Sequence, residues 1–67
     1  MNFIATIEDN IDINTLVNQL KQIGFTIARV RPTSRNISGN TNKKSLKDLL
    51  AVRGIKYAEE QRNIYNA

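Results

Sequence analysis

Leu46-Lys-Asp-Leu-Leu-Ala-Val-Arg-Gly-Ile-Lys-Tyr-Ala-Glu-Glu60 is the stretch on which the fold turns. Leu46, Leu49 and Leu50 fall at i, i+3 and i+4, the spacing that lines one side of a helix. Gly54 stops that helix by taking a left-handed conformation at little cost. Ile55 and Tyr57 then alternate with polar neighbours, as a strand does. The pattern predicts a helix over 43–52 capped by Asn42, and a strand over 55–59.

The same helix–Gly–strand joint occurs earlier in the chain. Ile13, Leu16, Val17, Leu20 and Ile23 recur at helical spacing, and Gly24 follows them. Asp12 stands where a carboxylate can accept the free amide hydrogens of the first turn. Phe25, Ile27 and Val30 predict a second strand. Its spacing slips between Ile27 and Val30, which points to a bulge or added twist. Pro32 ends it, because proline has no amide hydrogen for a sheet ladder. A turn over 33–36 leads to a third strand over 37–41. At the start of the chain, Phe3, Ala5 and Ile7 alternate with Ile4 and Thr6, a first strand closed by the Glu8-Asp9-Asn10 turn.

Strand, helix, strand, strand, helix, strand is the order of an α+β, ferredoxin-like β-α-β-β-α-β domain. Its four-stranded antiparallel sheet carries both helices on one face. The expected core is Phe3, Ala5, Ile7, Leu16, Val17, Leu20, Phe25, Ile27, Val30, Ile37, Leu46, Leu49, Leu50, Ile55 and Tyr57. The expected open face is Ile4, Thr6, Ala28, Ser38, Asn40, Lys56 and Ala58. Residues 1–67 read as one domain, with 61–67 a polar, extended tail.

Composition narrows the function classes. A chain of 67 residues buries a modest share of its surface. It has no Cys and no His, so disulfides, thiolate zinc sites and the commonest general base are missing. The carboxylates Glu8, Asp9, Asp12, Asp48, Glu59 and Glu60 have no nucleophile–base pairing around them, and no phosphate-cradling Gly-rich loop occurs. We therefore expect neither an enzyme nor a cofactor or metal site. The net charge of +4 allows acidic partners, but Lys and Arg are scattered along the chain. The first residues lack a basic start and a long apolar run, and nothing reaches the length of a membrane span. A cytoplasmic location without membrane contact is the expectation.

Several short motifs occur together and in order. Ile37-Ser38-Gly39 is a small, apolar third strand with a glycine. Val52-Arg53-Gly54-Ile55 joins helix to strand, Glu59-Glu60 closes that strand, and Pro32 follows the second. From Phe3 to about Arg62 this grammar resembles the prodomain of subtilisin-like serine proteases and the free-standing inhibitors related to it. Arg35 departs from the Gly common in that turn, Gln61 from a frequent Asp, and Tyr57 from a common Val.

The resemblance implies a stand-alone inhibitor or folding chaperone of a subtilisin-like serine protease. Its open sheet face would pack on two surface helices of the protease through Ile4, Ala28, Ser38 and Ala58. Glu59 and Glu60 would approach the amino ends of those helices, with Glu60 on the face of Ala58 and Glu59 at its margin. The tail, Ile64, Tyr65, Asn66 and Ala67, would lie in the substrate cleft by strand addition. Ala67 in the first specificity pocket puts Ile64 in the fourth, where an apolar group suits such proteases. Tyr65 in the first pocket would put Arg62 there, a poorer fit. A frayed tail is the competing reading of 61–67.

Two other functions fit the residues. A small basic nucleic-acid-binding module could use Arg29, Arg31, Arg35, Lys43 and Lys44 as a rim, although the third strand has no aromatic residue on which a base could stack. A structural or regulatory domain could instead self-associate through its sheet, as a monomer or weak homo-oligomer.

Overall fold

A computed structural model describes residues 1–61. The chain forms β1 (Asn2–Ile7), α1 (Ile13–Ile23), β2 (Thr26–Arg31), β3 (Asn36–Asn40), α2 (Leu46–Leu50) and β4 (Ile55–Glu60). The four strands make one antiparallel sheet in the order β2-β3-β1-β4. This is the expected α+β, ferredoxin-like arrangement.

One sheet face carries the core. Phe3, Ala5 and Ile7 of β1 and Ile37 of β3 are buried with Leu16, Val17 and Leu20 of α1 and Leu49 of α2. Both helices therefore cover the same side. Phe3 and Phe25 meet edge to face, with ring centroids 6.1 Å apart.

α1 begins as its sequence dictates. The Asp12 carboxylate accepts hydrogen bonds from the Thr15 amide at 2.9 Å and the Thr15 hydroxyl at 2.7 Å. Those two bonds, with attraction from Arg35, hold the Asp12 carboxyl below its ordinary pKa. Gly24 ends the helix at φ 129°, donating its amide hydrogen to the Leu20 carbonyl.

α2 is shorter than its sequence predicts and is capped by Ser45 instead of Asn42. The Ser45 hydroxyl accepts from the Asp48 amide at 3.1 Å, and the Asp48 carboxylate accepts from the Ser45 amide at 3.0 Å. This reciprocal pair satisfies two helix-end donors at once. Asn42 takes a left-handed φ of 59° and ties two loops together. Its amide nitrogen donates to the Gly24 carbonyl and the Thr26 hydroxyl. With one full turn and little more, α2 points only Leu46 and Leu49 inward. Leu50, expected in the core, is 46% exposed.

Two irregularities set which side chains face which way. In β2 the register shifts between Ile27 and Arg29, so Ala28 has no partner on β3. In β4 the register shifts across Thr6 and Ile7 of β1, so Lys56 has none on β1. Each bulge inserts one residue and reverses the in–out alternation beyond it. The β2 bulge also brings a backbone close to β3: a Cβ at Gly39 would lie 1.8 Å from the Thr26 carbonyl oxygen. Glycine is the only residue that fits there.

The β2–β3 turn is fastened from its own side. Arg35 occupies a left-handed φ of 55°. Its guanidinium donates to the carbonyls of Glu8 and Ile11 in the β1–α1 loop. Its carbonyl accepts the Ile7 amide hydrogen at 2.9 Å. These bonds offset the backbone cost at a position where a glycine would incur none.

Candidate protein-docking face

The sheet face turned away from the helices is read row by row from the strand register. One row runs Arg31, Asn36, Thr6, Tyr57 from β2 to β4. The next runs Arg29, Ser38, Ile4, Glu59. A third, on the three strands that reach it, is Thr26, Asn40, Asn2. The centre is small and polar around one apolar side chain, Ile4. Hydrogen bonds between Thr6 and Asn36 at 3.2 Å and between Asn40 and Asn2 at 2.9 Å order the two central strands.

Charge divides by edge. Arg29 and Arg31 stand on β2, and Glu59 stands on β4 at the far side. Three inter-strand spacings separate them, about 14 Å, so they do not pair within the molecule. The Tyr57 hydroxyl donates to the Glu59 carboxylate at 3.2 Å, which holds both side chains along the β4 edge.

The sequence-predicted contact residues fall into two groups. Ile4 and Ser38 lie side by side on this face, with Glu59 next to Ile4. Ala58 does not share it: it pairs with Ala5, is 5% exposed and belongs to the core. Glu60 shares the parity of Ala58, as expected, but that parity is the helix side, where it pairs with Phe3 at the end of the strand. Ala28 is exposed at its bulge, and Arg29 takes the place opposite Ser38. Lys56 is likewise a bulge residue and not a member of the expected row. Tyr57, expected inside, is 56% exposed on the open face. Ile64, Tyr65, Asn66 and Ala67 lie outside the described residues.

The basic rim expected from Arg29, Arg31, Arg35, Lys43 and Lys44 is not one patch. Arg35 is engaged with backbone carbonyls at the turn preceding β3, whereas Lys43 and Lys44 follow β3 at its other end. Only Arg29 and Arg31 share a face.

A dimple of about 10 Å³ beside Arg29, Arg31 and Ser38 has space for little more than a water molecule. A shallow groove of about 290 Å³ opens near the start of α1, between Ile11, Gln19 and Arg53. No group of three or more potential metal ligands occurs among the described residues. No helix among them is long and apolar enough to cross a membrane. Among the described residues, the open sheet face is the side of the sheet that neither helix covers. Comparison with protein-family models, with curated proteins and with solved structures finds no match to the chain.

Proposed function

We propose that this chain is a prodomain-like binding protein that inhibits, or assists the folding of, a subtilisin-like serine protease. The observation that carries the reading is the position of Glu59. It is a carboxylate beside Ile4 on the one sheet face the helices leave bare, on the strand that precedes residues 61–67 in the chain. A carboxylate so placed can meet the amino end of a partner helix, where unpaired N–H groups carry partial positive charge. Small neighbours such as Ser38 and Thr6 allow a helix to approach the sheet closely. The tail, Ile64 to Ala67, then enters the substrate cleft as an added strand and blocks it. The division of labour between the two acids follows from strand parity: Glu59 orients the docked domain and Glu60 does not.

The test is titration of the purified protein into a subtilisin that is cleaving a chromogenic peptide. Competitive inhibition at or below micromolar concentration supports the reading. Deleting Tyr65-Asn66-Ala67 abolishes it while leaving the circular dichroism spectrum unchanged. Glu59→Gln weakens it about fivefold, the equivalent of roughly 1 kcal/mol at a helix end, and Glu60→Gln leaves it unchanged. Absence of inhibition at high micromolar concentration overturns the proposal.

A second reading draws on Tyr57. An exposed aromatic ring on the same face as Arg29 and Arg31 is the combination on which single-stranded nucleic acid stacks. Glu59, bonded to Tyr57 on the β4 edge, would repel the phosphates and opposes it. Binding of a fluorescent oligonucleotide that falls steeply with salt and is lost in Tyr57→Ala would favour this alternative.

A further inference from the structure

The open face carries a pattern that is complementary to itself. Its four strands are ordered β2-β3-β1-β4, with cations on one outer strand and an anion on the other. A twofold axis parallel to the strands, passing between β3 and β1, exchanges β2 with β4 and β3 with β1 when two faces are laid together. Because the operation preserves position along the strands, each row meets itself reversed. Arg29 then lies over the second copy's Glu59, and Glu59 over its Arg29. Arg31 lies over Tyr57, an arrangement in which a guanidinium can stack on a phenol ring. Ile4 lies over Ser38, a large side chain above a small one, and the same contact repeats on the other side of the axis.

We infer that the open face is a homodimer interface, in which two copies pack sheet to sheet with Arg29 and Glu59 paired reciprocally across a twofold axis. Aligned sheets pack about 10 Å apart, a gap that Arg and Glu side chains bridge between them. An isologous contact of this kind satisfies both members of each charge pair with one surface. The Glu59 carboxylate already has Tyr57 holding it in place, so less side-chain freedom is lost when the pair forms.

Size sets the strength. Four strands at about 4.8 Å spacing and six residues at about 3.3 Å each give a face of roughly 20 by 20 Å. Two such faces bury on the order of 800 Å², short of the roughly 1,000 Å² of a stable specific interface and in the range of weak, transient ones. The dimer is therefore weak and depends on concentration. Its charge pairs lie near solvent, so salt weakens it further. The inference stands on the charges and shape of the face and does not depend on the protease reading.

Sedimentation equilibrium from about 10 µM to about 1 mM, at low and high salt, measures it. The expected result is a monomer–dimer equilibrium whose dissociation constant rises with salt. Arg29→Glu or Glu59→Arg alone raises that constant at least about tenfold. The double variant, carrying both reversals, restores it, because the charges are exchanged and still opposite. Both positions are exposed, so the three variants keep the fold, and circular dichroism verifies it. A monomer throughout the range overturns the inference. So does a dimer indifferent to both reversals, which would point to edge-strand pairing, or a double variant that fails to recover.

Discussion

The two outer strands of the sheet each contain one bulge, and they were not equally visible beforehand. In β2 the bulge lies between Ile27 and Val30, two apolar residues that both pack against the core. Their three-residue separation breaks alternation openly, and the irregularity is legible from sequence. In β4 the bulge at Lys56 lies between Ile55 and Ala58. Ala58 is too small to announce itself as a core residue, while Tyr57 forms a regular alternation with Ile55 that the structure does not use. A bulge is readable when large apolar side chains flank it on the same face. It is hidden when a small residue takes the inner place and an aromatic takes the outer one.

Substitutions that act on one bulge and spare the other sharpen this contrast. The largest effect is expected at Gly39, which receives the backbone of β2 at its bulge. Gly39→Ala places a methyl group against the Thr26 carbonyl, and the strands must separate or the bulge be lost. A loss of about 3 kcal/mol or more leaves so small a domain largely unfolded, and thermal denaturation by circular dichroism would show no cooperative transition near room temperature.

The β4 bulge is tested by reversing the apparent roles of its neighbours. Ala58→Leu overfills the core beside Ala5 and should cost about 1–3 kcal/mol. Tyr57→Ala removes a largely exposed ring and should cost under about 1 kcal/mol. Urea denaturation of the two variants decides it. Were Tyr57→Ala the more damaging, Tyr57 and not Ala58 would be the inward residue.

Smaller effects belong to the helix starts. Asp12→Ala and Ser45→Ala each remove a cap and should cost about 1 kcal/mol. Both helix-cap carboxylates also respond to acid. Two hydrogen bonds from Ser45 hold the Asp48 carboxyl below its ordinary value, with Lys44 and Lys47 adding attraction, as Thr15 does for Asp12. A carboxyl with a lowered folded pKa contributes stability above its unfolded pKa and loses it as pH falls through the folded value. Stability should therefore decline on acidification through the carboxylate range. The decline should be shallower in the Asp12→Ala, Asp48→Ala double variant, as urea melts at successive pH values would reveal.

α1 shows what was legible without ambiguity. Five apolar residues at helical spacing, an Asp before them and a Gly after them fix its start, face and stop. α2 was harder because two polar residues could each begin it. Asn42 is a good cap in isolation, yet its left-handed backbone and its bonds to Gly24 and Thr26 engage it in joining loops. The pairing of Ser45 with Asp48 three residues on was the signal that could have located the start. At the candidate face, Ile4 and Ser38 follow from simple alternation on β1 and β3, the two regular central strands. Arg29, Arg31, Tyr57 and Glu59 do not, because each follows a bulge that turns it toward the open side, and for Glu59 this reverses the expected roles of the two acids.

The position of β1 at the interior of the sheet has a consequence for how the chain is made. β1 is the first strand to leave the ribosome, and both strands that hydrogen-bond to it come much later, β3 at Asn36–Asn40 and β4 at Ile55–Glu60. Its ladder with β4 pairs Phe3 with Glu60, nearly the whole described length apart. Such long-range pairing must meet its loop-closure cost before any hydrogen bond compensates it. During synthesis α1 can form locally and cover part of the apolar side of β1, but both hydrogen-bonding edges of β1 stay unpaired until β3 and then β4 are released. Folding therefore cannot proceed in step with translation. It awaits the end of the domain, and the nascent strand stays open to chaperones until then.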